Sequence, residues 1–309
     1  MLSVLEVKRK LPGTFVENLY KTYTPGTVDK ILAGMCGERS TTLRANTLKI
    51  PITELMQELK NEGIKFNRVL WYQDALEIKN ANEKRLQTLS IYEEGKFYLQ
   101  SLSSMVPPLV LQPKEGEKIL DLTAAPGSKT TQMAMMMNNK GYILANELDK
   151  IRCERLAYNL QKQGVTIAEV QNKRGEKIGE EKPEFFDKAL LDAPCSGEGR
   201  FLANQVTTYK NWSIKTVSQC AKIQKKLLKS AYQALKPKGI LVYSTCTLNQ
   251  EENEEVIQWA VENLPVELEK ISLEIPNTLP GFENCKQAMR MLPSKIQEGF
   301  FIAKLRKKE

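Results

Sequence analysis

The sequence predicts an α/β protein, a parallel sheet covered by helices on both faces and preceded by a small mixed α+β module. Three observations predict it. From residue 118 onward, short apolar runs alternate with stretches of helical spacing. Gly- or Pro-bearing turns separate the two kinds of segment. The first 95 or so residues lack that alternation and mix short helical and extended patterns. Alternating strands and helices specify a parallel sheet buried on both sides. The chain therefore divides at about residue 95, into a module over 1–95 and a larger domain over 96–309.

In order along the module, residues 13–35 form one or two helices and TTLRANTLK (41–49) is extended. TELMQELKNE (53–62) places Leu55, Met56 and Leu59 on one helical face, and Gly63 stops that helix. Residues 64–80 alternate like strands, and Lys60, Lys65 and Arg68 form a basic patch there. In the larger domain, KILDLTAAPGSK is a strand and turn leading into the helix TTQMAMMMN, whose methionines pack in the core. YILANE (142–147) is the second strand, followed by a helix over 149–164 that ends at Gly164. VTIAEVQ (165–171) and KALLDAP (188–194) are the third and fourth strands. A helix near 215–235 precedes the fifth strand, GILVYSTC. A helix over 251–263 and a last strand, EGFFIAKL (298–305), complete the domain.

Charge and composition narrow the function. The chain has 309 residues, with 45 basic against 37 acidic and a net charge of +8, which favours an anionic partner such as nucleic acid. It has no histidine, so every mechanism that needs a histidine base is excluded. Its six cysteines form no CxxC pair, which argues against a structural zinc site and for no metal. MLSVLEVKRK lacks the pattern of a signal peptide, and no apolar run approaches the roughly 20 residues of a membrane span. A monomeric protein of a reducing cytoplasm, with free thiols, is expected.

In an open α/β sheet, ligands bind beyond the carboxyl ends of the strands. The first strand ends in Asp121-Leu122-Thr123-Ala124-Ala125-Pro126-Gly127-Ser128-Lys129, where small residues allow close approach and a following helix offers unpaired N–H groups. Neither GxxxxGK[ST] nor GxGxxG is present, so the usual polyphosphate cradles are absent. Glu147, about 20 residues further on, is placed to bind ribose hydroxyls. An adenosyl ligand without polyphosphate fits this combination, and S-adenosylmethionine is the common one.

Cys195 and Cys246 each follow one of two consecutive strands, so both thiols fall at one edge of the sheet. Either thiol alone would read as a small core residue. Two beside one pocket, with Asp192 at the same rim, point to chemistry. Methylation of a pyrimidine at carbon 5 uses this set: a thiolate adds to carbon 6, and a carboxyl group holds the N3 edge. The second thiol assists release. Lys129 and Arg200 supply positive potential or hold phosphate. These residues alone do not say which thiol attacks.

The chain resembles the Sun-type (Nop/Sun, RsmB-like) RNA 5-methylcytosine methyltransferases over about residues 11–306. The resemblance rests on YLQSLSSM (98–105), DLTAAPGSKTTQMA (121–134), LLDAPCSGEG (190–199), YSTCTLNQEENEEV (243–256) and EGFFIAKL (298–305). It implies a Rossmann-like class I methyltransferase domain after an RNA-recognition-like module. It makes Cys246 the nucleophile, gives Cys195 the release step, and has Asp192 contact both cofactor and base. It implies that Ala124, Ala125, Pro126, Gly127, Ser128, Lys129, Glu147 and Arg152 bind S-adenosylmethionine. Asn172 stands where the family usually has an acid reading the adenine amino group, and Ser128 where glycine is usual. The implied substrate is rRNA or tRNA. DNA cytosine methylation, or a non-catalytic RNA-binding and assembly role, are the competing readings.

Overall fold

The computed structural model describes residues 2–309. It contains two sheets. The smaller is antiparallel and comprises β1 (Thr42–Ala45), β2 (Phe66–Arg68), β3 (Ala75–Ile78) and β4 (Phe97–Leu99), in the order β2-β3-β1-β4. The helix Ile52–Asn61 buries Leu55 and Leu59 in a core shared with Leu43, Leu76 and Phe97.

The larger sheet comprises β5 (Lys118–Asp121), β6 (Tyr142–Asn146), β7 (Ala168–Gln171), β8 (Phe186–Asp192), β9 (Leu235–Thr245), β10 (Val266–Glu269), β11 (Thr278–Pro280), β12 (Met289–Met291) and β13 (Phe300–Lys307). Its order is β11-β12-β13-β9-β8-β5-β6-β7, with β10 pairing β13. The five strands β5–β9 run parallel, as the alternating pattern requires. β13 enters antiparallel beside β9, pairing Phe301 with Thr245 and Ile302 with Ser244. The strand order is Rossmann-like, as expected.

Several features depart from the sequence reading. The helix expected over 251–263 begins at Glu254, because residues 250–253 form a turn that carries the side chains of Glu252 and Asn253 inward. Strands β10–β12 and the helix Leu102–Leu111 were not expected. The strands are three or four residues long, too short for a periodic signal. The helix holds Pro107 and Pro108, which read as breakers, yet it is buried along most of its length and capped by Ser101.

Two buried guanidinium groups tie the parts together. Arg44, on β1, is fully buried. Its Nε donates to Gln100 at 2.9 Å, and its Nη2 to Thr131 Oγ1 at 2.8 Å, on the helix Ser128–Met136 beneath the Gly/Pro turn. Arg290, on β12, is fully buried as well. It makes a two-point contact with Glu254 and donates to Tyr23 Oη and, at 2.9 Å, to the carbonyl of Leu248. The rings of Tyr23, Phe282 and Phe301 surround it. The helices Val4–Lys10, Gly13–Thr22 and Pro25–Gly34 are thereby held against Phe201, Leu248 and Leu292 of the larger domain.

Removing one member of a buried ion pair leaves an uncompensated charge, at a cost of roughly 3–5 kcal/mol. Arg290→Met is therefore expected to lower the unfolding free energy by about that much in urea titrations. Arg290→Met with Glu254→Gln should recover part of the loss.

Candidate active site

β8 and β9 pair in parallel with Asp192 opposite Ser244. Each strand then breaks into a loop, so Cys195 and Cys246 leave the sheet side by side. Their sulfurs stand 3.2 Å apart, and both residues are half-buried. The Cys195 thiol is pushed well above the usual range, first by its hydrogen bond to Cys246 and then by burial. The exposed Arg200 guanidinium is raised, chiefly by the charge of Cys246. It folds back over Gly197, whose φ of +77° opens the turn between them.

Asp192 sits below the thiols and is pinned on both carboxylate oxygens. Lys129 Nζ donates to Oδ2 at 2.6 Å, and Ser244 Oγ to Oδ1 at 2.8 Å. Lys129 also donates to Ser104 Oγ at 2.9 Å. It is thus a buried partner of Asp192, while its backbone belongs to the helix that follows the Gly/Pro turn.

A polar layer that the sequence reading missed fixes the two thiol loops to each other. Glu252 is fully buried. Its carboxylate accepts the Ser196 N–H at 2.9 Å, the Ser196 hydroxyl, and Gln224 Nε2 at 3.0 Å. Ser196 Oγ also lies 2.9 Å from Thr247 Oγ1. The Gly199 N–H donates to the carbonyl of Cys246 at 2.9 Å. Gly199 has no room for a side chain, since a Cβ would sit 1.9 Å from the carbonyl oxygen of Gly299. Burial raises the carboxyl pKa of Glu252, and pushes the Cys220 thiol beside it up to about 12. The signal for Glu252 was its place in the acidic run after Cys246, but that run reads equally as a helix start.

The remaining predicted residues gather at the ends of β5–β7. The turn Ala124–Gly127 is closed by the Gly127 N–H donating to Ala124 O at 2.8 Å, and Gly127 has a φ of +105°. The carbonyl of Pro126 accepts Asn159 Nδ2 at 2.7 Å, and that of Ser128 faces Arg44. Arg152 Nη2 donates to the carbonyl of Ala125 at 2.8 Å. Glu147 is buried; its Oε1 accepts the Asp149 N–H, whereas its Oε2 has no hydrogen bond and only Arg152 at 3.5 Å. Asn172 donates through Nδ2 to the carbonyls of Glu147 and Leu148, at 2.7 and 2.8 Å. Among the described residues no group of three or more Cys, Asp or Glu side chains could hold a metal ion, and no helix is long and apolar enough to cross a membrane.

Comparison with known proteins decides the family. Residues 108–306 match the family described as 16S rRNA methyltransferase RsmB/F. The chain belongs to the RsmB/F family. Residues 11–83 match the ferredoxin-like domain of RsmF/B-like methyltransferases. Two proteins named ribosomal RNA small subunit methyltransferase F are similar to this RsmB/F member. The one from Aeromonas salmonicida is 38% identical over 292 residues, covering 91% of this chain and 60% of the relative. The one from Citrobacter koseri is 40% identical over 287 residues, covering 90% and 59%. The chain thus spans about 60% of the length of these curated relatives. A methyltransferase homolog protein from Pyrococcus horikoshii is 34% identical, with a TM-score of 0.85 over 99% of this chain and 98% of the other. NSun6 from P. horikoshii, solved with SFG, is 26% identical, with a TM-score of 0.87 over 98% and 100%.

Two buried carboxyl groups make the stability of this RsmB/F chain depend on pH. Burial raises Asp121 from 3.8 to about 7, and Glu198 from 4.5 to about 7. Between these values the folded state holds protons that the unfolded state has released. The stabilising contribution is therefore full at low pH and is lost as pH rises through about 7. Urea midpoints are expected to fall between roughly pH 4 and pH 7 and to level off above that, and Glu198→Gln should flatten that slope. A variant profile as steep as the wild type's would contradict the assignment.

Proposed function

We propose that this chain transfers a methyl group from S-adenosylmethionine to carbon 5 of a cytosine in RNA, through a covalent bond between Cys246 and carbon 6. The observation that carries the reading is the pair of thiols 3.2 Å apart, above an aspartate held by Lys129 and Ser244. The names of the relatives support small-subunit rRNA as the substrate.

The residues present suit the cofactor. The unsatisfied Glu147 Oε2 is a buried acceptor fit for a ribose hydroxyl. Asn172 Oδ1 accepts no hydrogen bond among the described residues, so it can take an amino N–H of adenine. The small residues Ala124, Ala125 and Gly127 let a ligand approach the backbone of the turn, and SFG, an S-adenosylmethionine analogue, is bound in the related NSun6 structure. When bound, S-adenosylmethionine supplies an electrophilic methyl group on a sulfonium.

The chain's own groups perform the rest. Burial and the neighbouring thiol favour the protonated form of Cys195, and the Arg200 guanidinium supplies positive potential beside Cys246. The Cys246 thiolate adds to carbon 6, which makes carbon 5 nucleophilic. A proton shared between the Asp192 carboxyl group and N3 stabilises the negative charge that develops there, and Lys129 fixes the orientation of Asp192. After methylation, a water molecule takes the carbon-5 proton, whose bonding pair restores the double bond as the sulfur–carbon bond breaks and its electron pair returns to sulfur. Cys195 then donates a hydrogen bond to the departing thiolate. The module up to about residue 95 would grip flanking RNA through the exposed Lys60, Lys65 and Arg68, helping to offset the roughly 2–4 kcal/mol of unstacking the target base.

Incubation with unmodified small-subunit rRNA and labelled cofactor tests the roles. Cys246→Ala should reduce transfer to background. Cys195→Ala should accumulate a protein–RNA adduct visible on denaturing gels. Asp192→Asn should lower kcat by ~10²–10³-fold, the usual effect of losing one charge-stabilising contact. Full activity in Cys246→Ala, or transfer to DNA alone, would overturn the reading.

A further inference from the structure

Between Glu198 and Glu251 the chain carries nine lysines and arginines and no acidic residue. The structure turns most of this segment into the long helix Ile214–Ala234 that joins β8 to β9. Its buried stripe runs through Val217, Ala221, Gln224, Leu228 and Ala231. At 100° per residue, Lys215, Lys222, Lys226 and Lys229 fall within a sector of about 60° on the opposite face. All four are exposed, and none forms an ion pair with the described residues.

The position of this stripe relative to the thiols gives it a use. The helix returns from the carboxyl edge of the sheet to the amino edge. Midway, Gln224 Nε2 donates to the carbonyl of Pro194 at 2.9 Å and to Glu252, which places that turn at the level of the Cys195 loop. The ten residues before Gln224 therefore rise about 15 Å beyond it, on the side where the pocket opens. Lys210 precedes the helix, and Arg200 stands at the thiols themselves. The lower half is different: the acidic helix Gly175–Glu181 packs there, with the Gly179 N–H donating to Ser230 Oγ.

We infer that the upper part of this face, through Lys215, Lys222 and Lys226, is a track for the phosphate backbone of the RNA strand that enters the active site. The inference rests on the RNA methyltransferase reading above. An acid-free face of lysines at helical spacing matches a chain of phosphates, because each contact releases a condensed counterion and needs no defined base. It would hold the strand on the flank where Trp212, packed against Phe15, joins this helix to the N-terminal helices.

The test uses the full chain carrying Lys215→Gln, Lys222→Gln and Lys226→Gln together. Gln keeps the helix propensity of Lys. A control carries Lys114→Gln and Lys308→Gln, exposed lysines at the opposite edge of the sheet. Fluorescence anisotropy with a short single-stranded RNA should show at least a tenfold loss of affinity for the triple variant. Its salt slope should fall by about 2, since each single-strand phosphate contact contributes about 0.7. The control should match wild type. With small-subunit rRNA, KM should rise while kcat and the calorimetric affinity for S-adenosylmethionine stay unchanged. Equal affinity and slope in the triple variant and the control would overturn the track alone. A wild-type chain that neither binds nor methylates RNA would overturn the underlying reading with it.

Discussion

The parallel pairing of β8 with β9 is the constraint on which the site depends. One residue of slip would put Asp192 opposite Thr245 or Tyr243 instead of Ser244, and would turn alternate side chains to the other face. The fully buried cores on both faces of this strand pair oppose that slip. The observed register brings the two strand-end loops together at the height where their sulfurs meet. Hydrophobic burial, which knows nothing of methyl transfer, thus positions the thiols.

Above that register, polar contacts do the finer placing. Asp192 is approached from three directions: by Lys129 from the helix after the Gly/Pro turn, by Ser244 from the adjacent strand, and through its backbone carbonyl by Thr123. Glu252 gathers the Cys195 loop and the long helix, while Thr247 joins the two thiol loops through Ser196. Burying these carboxylates would be costly without partners. Glu252 has three donors, and their combined hold limits the drift of either thiol.

Much of this was legible in the residue order, for physical reasons that differ by element. The parallel strands are continuous apolar runs because both faces are covered, and their ends are therefore sharp in the sequence. Cys195, Cys246, Asp192 and Glu147 were readable because each lies at such an end. Glu252 was not, because the turn at 250–253 that points it inward lies within an acidic stretch typical of a helix start. Lys129 read as part of a ligand loop, whereas its side chain crosses to Asp192; a backbone position does not disclose where a long flexible side chain terminates. Arg44 and Arg290 could not be told from surface cations, since their burial depends on partners far away in the chain. The strands β10–β12 are too short to carry a period.

The burial of Arg44 bears on how such a chain can be divided. The guanidinium comes from the small sheet but ends on Thr131 and Met135, in the helix that follows the Gly/Pro turn. Gln100 relays the contact onward to Gln132. The wall beneath the Gly/Pro turn is thus built jointly by both sheets. Cutting the chain between them would strip a cation from a buried polar cluster and expose the apolar flank of the remaining piece. In this protein the two folding units are not interchangeable cassettes, and a graft of either onto a foreign partner would have to carry its half of that wall.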